Sequence, residues 1–200
     1  MKEITIKGTV RVAEGKKAAR ALRREGLVPC VIYGEKRGED GLPVATPFSV
    51  SEKEINKVVF TPNIYLVRVQ LDGAEHTAVI KEIQFHPVKD NVVHVDFYEV
   101  TPDKPIVMGV PIQTVGLAPG VRAGGRLTTM LRKLNVRAKY VDIPEKLTID
   151  VSQLELGKSI KVRELSFENM ELVTPQEVVV ITIKMTRAAR SAADAAAAQA

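Results

Sequence analysis

One stretch of the chain, GKKAARALRREG at residues 15–26 followed by LVPCVIYG at residues 27–34, decides how the rest is interpreted. Glycines bracket the first segment and no helix breaker lies inside it, so the pattern predicts a short helix followed by a strand. At about 100° per residue, the cations of this helix fall within an arc of about 120°. They are Lys16, Lys17, Arg20, Arg23 and Arg24, and Ala18, Ala21 and Leu22 fall on the opposite side. One face is therefore cationic and the other can pack.

A solvent-exposed surface is the simplest interpretation of a cationic face, because a run of charged residues usually does no more than face the solvent. The distribution of charge bears on the alternative, an acidic partner. The whole chain carries a net charge of +5, from 29 Lys and Arg against 24 Asp and Glu. Residues 1–38 hold five Lys and five Arg against four Glu, a net charge of +6. The positive charge is thus concentrated in the segment that contains the helix.

Length and composition predict a soluble chain of one large or two ordinary domains. Its 200 residues are 45% hydrophobic, which supports a real core, while 4% aromatic residues and no Trp argue against an aromatic ligand pocket. The single Cys30 excludes a disulfide framework or a cysteine metal cluster within one chain, so a cytoplasmic setting is expected. No signal peptide or membrane span is apparent, and no membrane partner is expected.

Alternating patterns predict several strands in the first half of the chain. These cover residues 2–12, 44–50, 64–71 and 76–85, with Asp72-Gly73 as a hairpin turn between the last two. A second short helix is predicted to begin at Ser51, which has capping-box spacing to Glu54. The mixture of strands and short helices indicates an α+β first domain.

The run at residues 92–98 carries two polar side chains in register. Alternation predicts that Val93, Val95 and Phe97 face inward, which leaves His94 and Asp96 side by side on the outer face. Two polar groups two residues apart are thus presented together.

A proline-punctuated linker at residues 101–105 predicts a domain boundary. The first domain is placed at residues 1–100 and a mainly β second domain at residues 101–186. Its strand-like runs are residues 106–110, 111–115, 135–140, 147–151, 159–162 and 178–184. Residues 127–134 are compatible with a helix or a strand. The alanine-rich tail, residues 187–200, is predicted to be disordered because it has no amphipathic face.

The residues of this chain do not favour catalysis or metal binding. His94 beside Asp96 resembles an acid–base pair, but no catalytic motif in the chain supplies a nucleophile or a phosphate loop. A metal site would rest on His86, His94 and Asp96, with His76 near a turn, and that spacing matches no tight template of metal ligands. Cys30 is interpreted as a core residue, since its sequence neighbours offer no cation to stabilise a thiolate. The chain is therefore predicted not to be an enzyme and to take no small-molecule substrate or cofactor.

RNA is the partner that would contact most of these residues at once. A-form RNA is recognised largely through phosphates, 2′-hydroxyls and a shallow minor groove, which asks for a shaped basic surface. Such a surface is offered by Arg11, Lys16, Lys17, Arg20, Arg23 and Tyr33. His94 can donate to a base or phosphate, whereas Asp96 would have to accept from a base amine or 2′-hydroxyl, or share a hydrated Mg²⁺ with the RNA. A protein-interaction module remains the alternative.

Five segments together resemble a known family. They are residues 10–11 (VR), 15–23 (GKKAARALR), 28–34 (VPCVIYG), 84–87 (QFHP) and 94–97 (HVDF). In this order they resemble the bacterial large-subunit ribosomal protein number twenty-five, or general stress protein CTC family, over about residues 3–99. Residues 100–186 resemble the extra β domain of its long, two-domain members.

The resemblance implies a small antiparallel β-barrel with short helices as the first domain. It implies a structural constituent of the large ribosomal subunit in the cytoplasm, with a role in translation. The implied partners are 5S ribosomal RNA near its loop E region and other large-subunit RNA and proteins. The implied RNA contacts are Arg11, Arg20, Tyr33, His94 and Asp96, supported by Lys16, Arg23 and Gln84. Lys81 and Phe85 depart from residues found in relatives.

Overall fold

The computed structural model describes residues 1–12, 15–37, 43–187 and 190. The chain divides into two compact units, Met1–Lys104 with Lys139–Val141, and Pro105–Ala138 with the residues from Asp142 onward. That residues 1–100 and 101–186 fold as independent domains stays a prediction. The predicted alanine-rich tail lies outside the described residues, apart from positions 187 and 190.

A closed six-stranded barrel forms the first unit. Its strands follow one another around the barrel in the order β1-β3-β2-β6-β5-β4. In the described residues its elements are β1 (Lys2–Val10), α1 (Lys16–Arg24), β2 (Leu27–Arg37), β3 (Pro43–Ser51), α2 (Glu52–Val59), β4 (Tyr65–Leu71), β5 (Ala74–Phe85) and β6 (Val92–Glu99). The predicted barrel with short helices is confirmed.

The direction of the strands differs from the expected antiparallel barrel at two pairings. β1 runs parallel to β4, and β2 runs parallel to β6. Parallel neighbours need a crossover connection rather than a hairpin, and each of these pairs is separated in the chain by other strands and by α2. The antiparallel expectation is therefore corrected at these pairings, while the remaining four are antiparallel.

Alternate residues of the strands fill the barrel. Phe48 and Phe97 are fully buried, and their ring centroids lie 5.6 Å apart with the planes tilted by 41°. Cys30 lies in the same core, against which α2 packs Ile55 and Val58. These apolar contacts close the barrel and fix which face of β2 and β6 points outward.

Local signals account for most element ends. Asp72 and Gly73 have φ angles of 44° and 91°, as the predicted hairpin turn requires, and Gly26 ends α1 with a φ of 75°. The predicted second helix begins at Glu52, directly after Ser51, but Ser51 makes no side-chain capping hydrogen bond, so the capping box is wrong. Instead the Glu52 N–H donates to the Gly26 carbonyl at 3.0 Å.

The second unit is mainly β, as predicted. Its described elements are β7 (Pro105–Val115), α3 (Pro119–Arg122), β8 (Arg126–Thr129), β9 (Lys133–Lys139), β10 (Leu147–Asp150), β11 (Ser159–Lys161), a 3-10 turn (Val162–Glu164), β12 (Glu171–Leu172) and β13 (Val179–Lys184). They form one sheet in the order β10-β7-β9-β12 and another in the order β11-β13-β8. Residues 106–115 are one strand rather than two, and residues 127–134 belong to two strands and the turn between them.

Candidate nucleic-acid interface

Three neighbouring strands of the barrel share one outer face. β2 lies beside β6 with Tyr33 opposite Tyr98, and β6 lies beside β5 with His94 opposite Gln84. Because the alternate residues Cys30 and Phe97 are buried in the barrel, their polar neighbours on the same strands point outward. The register therefore brings Tyr33, Gln84, His94 and Asp96 to one surface.

His94 and Asp96 form a close pair on β6, as their spacing predicts. The Nδ1 of His94 lies 2.8 Å from Oδ1 of Asp96, and the two side chains are 21% and 28% exposed. A carboxylate at this position favours a proton on Nδ1. The remaining ring nitrogen, Nε2, then accepts a hydrogen bond when the imidazole is neutral and donates one when it is protonated. The pair is thus an oriented polar group for a ligand outside the barrel.

A β-bulge corrects the predicted inward position of Val93. Gln84 is opposite His94 but the next residue, Phe85, is opposite Val92, so the register skips Val93. Val92 is buried in the core instead, and Val93 is only half-buried. One extra residue on β6 changes which valine faces inward, a local feature that strict alternation cannot reveal.

The cationic helix forms a hydrogen bond with the carbonyl of Val93. The Nε of Arg23 donates to it at 3.0 Å, one residue before His94. This contact joins the last turn of α1 to β6, although the two segments are far apart in the sequence. It uses one N–H of the guanidinium, and four N–H groups remain on that side chain for other acceptors.

The remaining cations of α1 lie on its exposed side. Lys16, Lys17, Arg20 and Arg24 are all exposed, which matches the predicted cationic face. The packing face is rotated from the predicted one, since Ala18 and Leu22 are half-buried together with Ala19, whereas Ala21 is exposed. No residue of α1 is buried. The helix therefore lies on the surface with little packing, and its cations face solvent.

Arg11 lies near the thiol of Cys30. Its backbone N–H donates to the Pro47 carbonyl at 3.1 Å, and its side chain is half-buried. Burial raises the pKa of Cys30 to about 12; the positive charge of Arg11 opposes this rise and the negative charge of Asp96 adds to it. The sequence neighbours of Cys30 offer no cation, but the fold supplies one from the end of β1. Cys30 is confirmed as a core residue because the effect of burial exceeds that of Arg11.

We expect this thiol to be inert in the folded protein. With a pKa of about 12, only about one molecule in ten thousand would hold the thiolate at pH 8, and the side chain is fully buried. Labelling with a chromogenic disulfide reagent should be negligible in buffer and reach one thiol per chain in denaturant. Glutathione in the same buffer serves as the reactive control. Rapid labelling of the native chain would contradict this placement of Cys30.

Tyr33 is surrounded by groups that keep its hydroxyl protonated. Its ring meets that of Tyr98 edge-on, with centroids 6.0 Å apart and planes at 73°. Partial burial raises the pKa of Tyr33, and so do the nearby charges of Asp96 and Glu82 and the hydroxyl of Tyr98. Tyr33 is consequently a hydrogen-bond donor throughout the physiological range.

Glu82 and Tyr98 also belong to this face, although neither was predicted from the sequence. Tyr98 lies two residues after Asp96, a spacing that places it on the same side of β6. Glu82 is opposite Asp96 only because a second bulge shifts the register between Ile80 and Glu82. The face therefore combines two carboxylates with the cations of α1, and it is not uniformly positive.

The histidines are separately engaged and do not form a cluster. His76 Nδ1 lies 2.9 Å from Glu99 Oε1. His86 Nδ1 accepts from the backbone N–H groups of Val88 and Lys89. Among the described residues, no group of three or more His, Cys, Asp or Glu side chains is placed to hold a metal ion. In the same part of the chain, the helices are too short and polar to cross a membrane.

Comparison with known proteins gives matches over both units. Residues 6–97 match the Ribosomal L25p family, and residues 105–187 match the family described as Ribosomal protein TL5, C-terminal domain. Large ribosomal subunit protein bL25 of Phocaeicola vulgatus is 55% identical over 96% of this chain and 98% of its own. The protein of the same name from Bacteroides thetaiotaomicron is 50% identical over 98% and 99%, and that from Parabacteroides distasonis 43% identical over 91% and 90%.

Proposed function

Given that this chain belongs to the Ribosomal L25p family and is a structural constituent of the large ribosomal subunit, we propose that its first unit binds 5S ribosomal RNA in the loop E region. The chain acts in translation as part of the cytoplasmic ribosome and is not an enzyme.

One contact carries this proposal, the hydrogen bond of 3.0 Å from Arg23 to the Val93 carbonyl. It fastens the cationic helix beside the strand that presents His94 and Asp96. Arginine and lysine on a helix attract phosphates but carry no sequence information, whereas oriented polar side chains select among ligands. A ligand that meets both elements at once is a structured polyanion with hydrogen-bonding groups between its phosphates, and RNA fits that description.

The two elements have different tasks in this proposal. Lys16, Lys17, Arg20 and Arg23 bind phosphates, with Arg11 in support. Tyr33 donates from its hydroxyl, Gln84 offers an amide, and His94 presents Nε2. Asp96 would be repelled by a phosphate, so it accepts from a base amine or a 2′-hydroxyl, or holds a hydrated Mg²⁺ that the RNA shares. The second unit contacts other RNA or proteins of the large subunit.

A binding titration against 5S RNA over a range of salt concentrations tests the proposal. If six phosphates are contacted, the logarithm of the affinity should fall with the logarithm of salt at a slope of about −5, taking about −0.9 per phosphate as an upper guide. Unrelated structured RNA of equal length is the control and should bind more weakly. Equal affinity for the two RNAs, or no salt dependence, would refute specific 5S binding.

A further inference from the structure

Two phenylalanines are paired on the surface of the first unit. The ring centroids of Phe60 and Phe85 lie 6.1 Å apart with the planes at 54°, and the residues are 59% and 47% exposed. The phenylalanine pair inside the barrel, Phe48 with Phe97, is by contrast fully buried. Exposed aromatic rings add little to a core, and such a patch commonly marks a binding surface.

The exposed pair lies at the end of β5 that borders the proposed RNA interface, although alternation turns Phe85 to the opposite side of that strand from Gln84. Phe85 follows Gln84 on β5 and lies opposite Val92 on β6. The next residue of β6 is Val93, whose carbonyl holds Arg23. Phe60 comes directly after α2, and its N–H donates to the Asn56 carbonyl at 3.2 Å. The backbone of Phe85 therefore lies one residue away from the point where the cationic helix meets β6.

The surroundings of the rings favour a nucleic acid over an apolar protein segment. Arg23 binds the carbonyl of Val93, which follows the β6 partner of Phe85, and Lys57 is in the last turn of the helix that leads to Phe60. Both cations are exposed. An aromatic face next to cations is the arrangement that binds nucleotides, since the ring stacks on a base while the cations hold neighbouring phosphates.

We infer that Phe60 and Phe85 form a stacking site for an unpaired base of 5S RNA at the edge of the interface. The inference rests on the proposed function and extends it, because stacking adds an aromatic contact to the phosphate and hydrogen-bond contacts already assigned. It also requires that the bound RNA presents a base outside the regular helical stack at this edge, as bases of loops and internal loops do.

Leucine and tryptophan substitutions separate stacking from simple apolar contact. Leucine keeps apolar area but has no aromatic face, so Phe85→Leu and Phe60→Leu should each weaken 5S binding about 5- to 150-fold, with the salt slope unchanged. Phe85→Trp should keep wild-type affinity. Because the chain has no Trp, the introduced indole is the only one, and its fluorescence should be quenched when a base stacks on it.

Val88 provides a matched control. It is an apolar side chain three residues after Phe85 and is 83% exposed. Val88→Ala should leave 5S affinity unchanged if the effect belongs to the rings. All of these side chains are largely exposed, so the variants should fold, which circular dichroism verifies.

The outcomes distinguish this inference from the function on which it rests. If wild type prefers 5S RNA but both leucine variants bind as wild type and the indole fluorescence of Phe85→Trp does not change, stacking is overturned and the proposed function stands. If wild type shows no preference for 5S RNA, the proposed function itself fails. If the leucine variants bind free 5S RNA normally but no longer sediment with large subunits, the patch contacts another component and stacking is again overturned.

Discussion

Phe97→Ala is expected to lower the free energy of unfolding of the first unit by about 3–5 kcal/mol. Phe97 is fully buried in the barrel and packs against Phe48, so truncation removes apolar contacts and leaves a cavity that the surrounding strands cannot fill. Domains of this size are stable by only about 5–15 kcal/mol. Urea unfolding followed by circular dichroism should therefore show a large fall in the midpoint.

Phe85→Ala is the matched control for this loss. It deletes the same atoms from an exposed ring on the neighbouring strand, and we expect it to cost no more than about 1 kcal/mol. Equal losses from the two substitutions would contradict the assignment of Phe97 to the core and Phe85 to the surface.

The buried ring of Phe97 also determines the position of a residue on the binding surface. Phe97 alternates with Asp96 on β6, so the packing of the phenylalanine ring determines that the carboxylate points outward. A register slip of one residue would bury Asp96 and expose Phe97. The position of the polar pair is therefore a consequence of apolar packing inside the barrel.

Short-range signals predicted much of this fold because they depend on neighbouring residues. The turn at Asp72 and Gly73, the helix that ends before Gly26, and the outward placement of His94 beside Asp96 all follow from spacing within a few residues. Pairings between distant segments were not predictable in this way. The parallel contact of β1 with β4 joins residues about sixty positions apart, and no local pattern encodes it.

The bulges of β6 and β5 are the features of the candidate site that sequence patterns could not predict. Because of one bulge, Val92 lies in the core in place of Val93. The other bulge places Glu82 opposite Asp96. Arg23 donates to the carbonyl of Val93, the residue that the first bulge leaves without a partner on β5. Sequence patterns predicted the types of residue at the candidate interface, whereas the pairing of Glu82 with Asp96 and the position of Val93 depend on irregularities in the register. The RNA contacts of these residues stay predictions.

The largest functional effect is expected at Asp96. Asp96→Asn keeps the size of the side chain but removes the charge that lies 2.8 Å from His94 and that, in the proposed interface, accepts from the RNA. A hydrogen bond to a charged group contributes about 1.5–3 kcal/mol, so the preference for 5S RNA over unrelated RNA should fall about 10- to 150-fold. Affinity for the unrelated RNA should hold or rise, because a carboxylate no longer repels its phosphates. Competition titrations with the two RNAs measure both quantities.

Arg20→Ala is the contrasting variant. Comparing it with Asp96→Asn distinguishes residues that select one RNA over another from residues that attract any RNA through its phosphates. Arg20 is exposed on the cationic side of α1, so its loss should weaken binding to both RNAs about equally and make the salt slope shallower by about 1. Asp96→Asn should instead change the ratio of the two affinities and leave the slope unaltered. If both variants weakened all RNAs alike, Asp96 would have no part in recognition, and attraction by the helix would account for the binding. If only Asp96→Asn changes the ratio, then a carboxylate within a basic surface is what selects the RNA.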